Sequence, residues 1–403
     1  MANVSVRPIA SRPSVPDLLA RAGEIAPLVR ERAGRTEAER RIAADVIELI
    51  RAADLFRIMQ PRAYGGFEYG FDVMAHVVAV LGMGCGSTAW VAGLGICHQW
   101  LAAAFPGQAQ DEFWADPDAI AMGSYAPVGR ATSVEGGYRV TGVWGFASGC
   151  DNAQWFFLGG MIPAPDNAGP PKPGFFLIPS ADGQIDDNWH TIGLAGTGSK
   201  NIVASDLFVP AHRVVTFADL LAGTTPGAQV HGIALYRQPL MAVLPYTLVA
   251  PVLGMAEGAL HDFLEMAKVR TTRGAVAGGN NRMAEFATIQ TRVAEASASI
   301  ATARLLMLSD ITKTYDAVVR GDVVGLDTRL GNRLHQAFCV RLLIQAIDAL
   351  FVASGGQGIF TGKLVQRMWR DAHAAATHVS LNWDAVSTMY GQYVLGLEPK
   401  GQY

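Results

Sequence analysis

Few side chains in this 403-residue chain have the type and setting to do chemistry. Two of the nine histidines stand out, His98 in GICHQW and His378 in ATHVSLNWD. A neutral imidazole in such a setting can take a proton or polarise a hydroxyl. His98 sits on an apolar helical pattern, where a lone histidine also serves as a satisfied core residue. His373 and His378 miss the i, i+4 spacing of a helical metal pair, and no nearby carboxylate completes a ligand set, so no metal site is expected. WGFASG at 144–149 sets Trp144 and Phe146 beside the hydroxyl of Ser148, which read alone is a turn serine next to Gly149. MGSYAP contributes Ser124. Gly355, Gly356 and Gln357 allow close backbone approach to a phosphate or a neighbouring subunit, or simply end a helix. The chain has no GxxxxGK[ST], GxSxG or HExxH string. GLGICH and GLAGTGSK hold spaced glycines, but neither follows a strand and opens a helix of a βαβ unit, so a dinucleotide site is not expected. Cys85, Cys97, Cys150 and Cys339 form no CxxC pair, which fits a reduced, cytoplasmic protein.

These residues need three kinds of scaffold. From about Val15 to Phe113, apolar residues recur at three- and four-residue spacing and predict helices. Asp72 and Asp111 bracket a stretch without Asp, Glu, Lys or Arg. Hydropathy alone nominates it as a membrane span, but GMGCGS breaks it in two and no Lys/Arg cluster flanks it, so two buried helices are expected. From Ala119 to about Val215, short aromatic and β-branched runs punctuated by Gly, Pro, Asn and Asp predict a β-barrel or sandwich, with GGYRVTG as a hairpin arm. From about Pro239 the pattern is helical again, and long helices with small residues on their faces predict a four-helix bundle. The expected division is a helical domain at 1–118, a β domain at 119–228 and a helical bundle at 229–403, an α+β fold that is mainly α. The formal net charge of -3 offers no footprint for nucleic acid or an anionic membrane.

Five strings in order carry a family resemblance: MGSYAPVGRA (122–131), GVWGFASGCDNAQW (142–155), WHTIGLAGTGSKNIVASDLFVPAHRVV (189–215), SGGQGIF (354–360) and QRMWRDAHAAATHVSLNWDAVSTMYGQYVLG (366–396). The chain resembles the acyl-CoA dehydrogenase-fold flavoproteins. Within them it resembles the oxygenase components of two-component aromatic hydroxylases, such as the 4-hydroxyphenylacetate 3-hydroxylase and steroid-phenol hydroxylase types. An acyl-CoA dehydrogenase carries a Glu base shortly after its RDA motif; here RDA stands at 370–372 and His378 falls about where that base would be.

The resemblance implies a reduced-flavin monooxygenase that uses FMNH2 or FADH2 from a separate NAD(P)H:flavin reductase. It forms a C4a-hydroperoxyflavin with O2 and hydroxylates a small aromatic, most simply phenolic, substrate. It also implies His378 as base, His98 facing the substrate and Ser148 at the flavin N5 edge. Trp144 and Phe146 are then walls of an apolar pocket that shields the flavin from water. Ser124, Arg270 (with Arg273 a competitor), Gly355, Gly356 and Gln357 become further cofactor contacts, and the assembly a homotetramer. Relatives commonly show an Arg where Ala195 stands, so one polar contact of that loop is missing. Competing readings are an acyl-CoA dehydrogenase or oxidase, a monooxygenase acting on an indole, nitrogen or sulfur centre, and a catalytically idle scaffold.

Overall fold

A computed structural model describes residues 12–164, 169–272 and 281–403. The first layer contains α1 (Val15–Glu39), α2 (Ala44–Ala52), α3 (Phe71–Gly82), α4 (Gly86–Ala102) and α5 (Gly107–Phe113). α1 opens on a capping box: the Ser14 hydroxyl accepts from the Asp17 N–H while the Asp17 carboxylate accepts from the Ser14 N–H. Its buried stripe, Leu18, Ala22, Ile25, Val29, Ala33 and Thr36, has helical spacing. α4 has no polar face, and every residue in it except Leu94 is buried. Such a helix must be wrapped on all sides, and α3, the β layer and the bundle do so. The charge-free stretch is therefore two buried helices, as its interrupted pattern indicated.

The middle layer is a seven-stranded sheet of β1 (Ala121–Val134), β2 (Gly137–Ala147), β3 (Trp155–Ile162), β4 (Lys172–Pro179), β5 (Gln184–Asp186), β6 (Lys200–Pro210) and β7 (Val214–Thr216). Their order is β5-β6-β2-β1-β3-β4-β7. β1 and β2 form the expected hairpin, turning at Gly136 with φ +77°. β1 and β3 run parallel, with the register broken between Ser124 and Gly129. Trp144 lies in the core of this layer. It is fully buried, its indole N–H donates to the Gly159 carbonyl at 2.6 Å, and its ring occupies the space a side chain at Gly129 or Gly142 would need. This corrects its expected place as a pocket wall: the glycines around it form a slot that takes the indole inward.

Short helices α6 (Phe217–Ala222), α7 (Pro226–His231) and α8 (Leu240–Val243) lead to the last layer, and the break expected at 228 falls inside α7. The last layer comprises α9 (Tyr246–Val269), the two-residue strands β8 (Thr271–Thr272) and β9 (Asn281–Arg282), α10 (Ala287–Val319), α11 (Leu326–Ala353), α12 (Leu364–Ala376) and α13 (Trp383–Val394). The segment Leu240–Val269 is long and apolar enough to cross a bilayer, but 94% of its most apolar window is buried. α9 packs on α3 at a glycine contact: a Cβ on Gly254 would lie 2.2 Å from the Ala79 carbonyl oxygen. That contact seats the bundle against the layer that carries α4.

Candidate active site

α4, the end of β2, the 189–199 loop and the α12–α13 turn meet where the three layers join. Trp90 of α4 links the other segments. Its indole N–H donates to Ser148 Oγ at 3.3 Å, and its ring stands edge-on to the His378 imidazole at 5.9 Å. Two residues singled out from the sequence are thus brought together by one that was not.

The β2 turn is strained. Phe146 has φ +62°, a left-handed conformation unfavourable for a bulky side chain. Its ring is 75% exposed and edge-on to Trp189 at 5.9 Å. Such strain costs about 1–3 kcal/mol and concentrates where a ligand uses it. Gly149, with φ +72°, presses the turn against α4, because a Cβ there would meet Val91 at 2.7 Å. Phe146 therefore faces outward, near the buried Ser148 hydroxyl.

The 189–199 loop is clamped from α12. The Leu194 N–H donates to Asp371 at 2.6 Å, and a Cβ on Gly193 would meet the Arg370 carbonyl at 2.2 Å. Asp371 is buried, and burial pushes its carboxyl up to about 6, with the Leu194 N–H opposing. Arg367 and Arg370 both pair with Glu37 of α1, which fixes α12 against the first layer. Asp371 lies in the quoted RDA string, but a charge motif alone does not announce a loop anchor.

His378 takes a definite polarity. Its Nδ1 accepts the Ser380 N–H at 3.1 Å, so in the neutral ring the proton sits on Nε2. Burial, and then the Arg333 charge, lower its pKa to about 4. Arg333 itself is buried. Its guanidinium donates to the carbonyls of Ser380 and Gln402 and to Gln336, and among the described residues no carboxylate pairs with it. The turn thus presents an N–H donor backed by a buried cation. In this tautomer the ring directs a proton, and not a lone pair, away from the Ser380 contact. Asp384, the nearest carboxylate in sequence, is exposed in the first turn of α13.

His98 is closed off. It is 1% exposed; Nδ1 donates to the Ala121 carbonyl at 2.7 Å, so Nε2 accepts from the Tyr125 hydroxyl at 2.9 Å. Burial lowers its pKa to about 4. The sequence expectation was a His98 facing the substrate; here the hydroxyl of the partly exposed Tyr125 lies on its Nε2. Ser124, its neighbour in β1, is buried at the register break with β3.

Arg270 and the glycine pair form a second cluster. The Arg270 guanidinium donates to the Ser354 carbonyl at 2.8 Å, and Gly355, Gly356 and Gln357 follow in an exposed turn with φ +61° at Gly355. Arg273 lies outside the described residues.

The comparisons with known proteins decide the family. Residues 246–383 match the acyl-CoA dehydrogenase C-terminal domain. The chain is 46% identical to the FADH(2)-dependent resorcinol hydroxylase, oxygenase component, of a Rhizobium species, over 98% of both chains. The chain belongs to the flavin-dependent monooxygenase oxygenase components. A solved 3-HSA hydroxylase from Rhodococcus sp. RHA1 superposes on this oxygenase component with a TM-score of 0.89 at 35% identity, covering 96% of this chain and 98% of that one. XiaF from Streptomyces sp., solved in complex with FADH2 and glycerol, is 28% identical with a TM-score of 0.87 over 96% of this chain and 97% of that one.

The junction fits a reduced flavin. Phe146 offers an exposed aromatic face, Ser148 a hydroxyl beside it, and His378 a donor. Arg270 and the exposed 355–357 backbone have the chemistry of a phosphate site. A reduced flavin bound there would supply the electrons that activate O2.

Proposed function

We propose that this oxygenase component hydroxylates a phenolic ring, with Ser148 and Phe146 at the flavin and the His378 Nε2–H on the phenolic oxygen. The observation that carries the reading is the polarity of the α12–α13 turn. A half-buried N–H donor beside a buried, carboxylate-free guanidinium favours an oxygen that bears negative charge. Thioester dehydrogenation needs a carboxylate base at this turn, and His378 and the exposed Asp384 do not supply one. Resorcinol, named for the 46% identical relative, is a small phenol of the right class. Tyr125, held by His98, supports the same substrate with a hydroxyl of fixed direction.

Three further features complete the proposal. A separate NAD(P)H:flavin reductase supplies the reduced flavin, FADH2 or FMNH2, in the cytoplasm. The protein is a homotetramer, supported by apolar side chains exposed on the last layer, among them Val269, Leu305, Val352 and Phe360. Arg270 and the 355–357 turn hold the flavin phosphate. The test mixes protein and anaerobically reduced flavin with resorcinol and other phenols, then admits labelled O2. One labelled oxygen atom in a hydroxylated ring is expected; peroxide as the sole product across the phenols contradicts the reading.

A further inference from the structure

Three hydroxyls run in a line behind the β2 turn. Ser148 Oγ lies 2.7 Å from Ser199 Oγ, Ser199 Oγ lies 2.6 Å from Thr197 Oγ1, and Thr197 Oγ1 lies 2.8 Å from the Leu194 carbonyl oxygen. All three side chains are buried, so water does not compete for these contacts. Each hydroxyl owns one hydrogen, and a carbonyl owns none to give. Three hydrogens must fill three oxygen–oxygen contacts, and an unfilled contact at 2.6–2.8 Å would be repulsive. Only one arrangement fills them all: Thr197 donates to Leu194, Ser199 donates to Thr197, and Ser148 donates to Ser199. At the other end the Trp90 indole N–H, which can only donate, points into Ser148. The hydrogen of Ser148 is therefore committed inward and one of its lone pairs is taken. What remains for a ligand is the other lone pair.

We infer that Ser199 and Thr197 are positioning residues that lock Ser148 as an acceptor and so tune the site to the redox state of its flavin. The inference rests on the proposed placement of Ser148 at the flavin N5 edge. Reduced flavin carries a hydrogen on N5 and can donate to Ser148. Oxidised flavin carries only a lone pair there and faces the Ser148 oxygen lone pair to lone pair. The relay thus favours arrival of the reduced cofactor and departure of the oxidised one, as a partner reductase requires. The loop that holds it is itself pinned by Asp371 through the Leu194 N–H and by the close seat of Gly193 on α12.

The test measures equilibrium binding of reduced flavin, without oxygen, and of oxidised flavin to the full-length protein. In Ser199→Ala the Ser148 hydrogen is released and can turn toward oxidised N5. Oxidised flavin is then expected to bind about fivefold to tenfold tighter, with reduced flavin little changed. Thr197→Val, nearly isosteric, frees the same line from its far end and is expected to shift the ratio in the same direction. Ser199→Thr keeps a hydroxyl and is expected to restore the wild-type ratio. Ser148→Ala separates the two levels: it is expected to weaken reduced flavin. If Ser148→Ala weakens reduced flavin while Ser199→Ala and Thr197→Val leave the ratio unchanged, the relay is overturned and the placement of Ser148 stands. If Ser148→Ala changes neither affinity, the placement fails and takes the inference with it.

Discussion

Replacing His378 by Gln and by Ala separates a donor from a base. A phenol with pKa near 10 gives up its proton to an imidazole near 4 only across a gap of about six, or about 8 kcal/mol. That cost disfavours His378 as the resting acceptor of the phenolic proton, whereas its Nε2–H can hold an oxygen that carries charge. A hydrogen bond to a charged group is worth about 1.5–3 kcal/mol, so His378→Ala is expected to lower product formation about tenfold to a hundredfold. Gln has an amide N–H near the same reach but no basic nitrogen, and His378→Gln is expected to stay within about fivefold of wild type. The assay is hydroxylated product per reduced flavin oxidised, with released peroxide as the complement. Wild type is also expected to show no rate limb near pH 6.5, because the ring is already neutral there. A Gln variant as inactive as Ala, or a limb near pH 6.5 lost in His378→Gln, would refute the donor reading.

Other consequences reach the scaffold. The folded pKa of Asp371, about 6, lies above the free carboxyl value near 3.9, so the folded chain holds this proton longer and stability falls as pH rises from about 4 to 6. Asp371→Asn, which can still accept from Leu194, is expected to raise unfolding stability at pH 7 by up to about 3 kcal/mol and flatten that pH limb in urea titrations. His98, neutral and enclosed, works in the opposite sense: stability is lost as pH falls from about 6.5 to 4, and His98→Gln is expected to make that acid loss shallower. Gly254→Ala drives a methyl into the Ala79 carbonyl and is expected to destabilise by about 1–3 kcal/mol. Arg270→Ala is expected to weaken flavin binding about tenfold for FAD or FMN but not for riboflavin, which lacks the phosphate.

Much of this architecture was legible in the residues. The interrupted apolar run became α3 and α4 because burial on every side needs no polar face, and GGYRVTG became one arm of a hairpin. Ser148 and His378 were visible as a hydroxyl in an aromatic string and an imidazole about where an acyl-CoA dehydrogenase would carry its Glu base. Their polarity was not visible, because it depends on partners the fold supplies: Ser199 and Arg333 from far along the chain, and the Ser380 N–H through the geometry of a local turn. Trp144 was misplaced because WGFASG shows two aromatics alike, while the positive φ at Phe146 turns one outward and the slot of glycines takes the other in. His98 looked available because composition does not reveal that Ala121 and Tyr125 occupy both of its nitrogens.

The most direct measurement is a crystal structure of the protein grown and frozen without oxygen in the presence of reduced flavin. The account predicts the isoalloxazine against Phe146, its N5 within about 3.2 Å of Ser148 Oγ, and the His378 Nε2–H directed at the space beside it. A flavin ring seated elsewhere, with Ser148 buried away from it, would contradict the account.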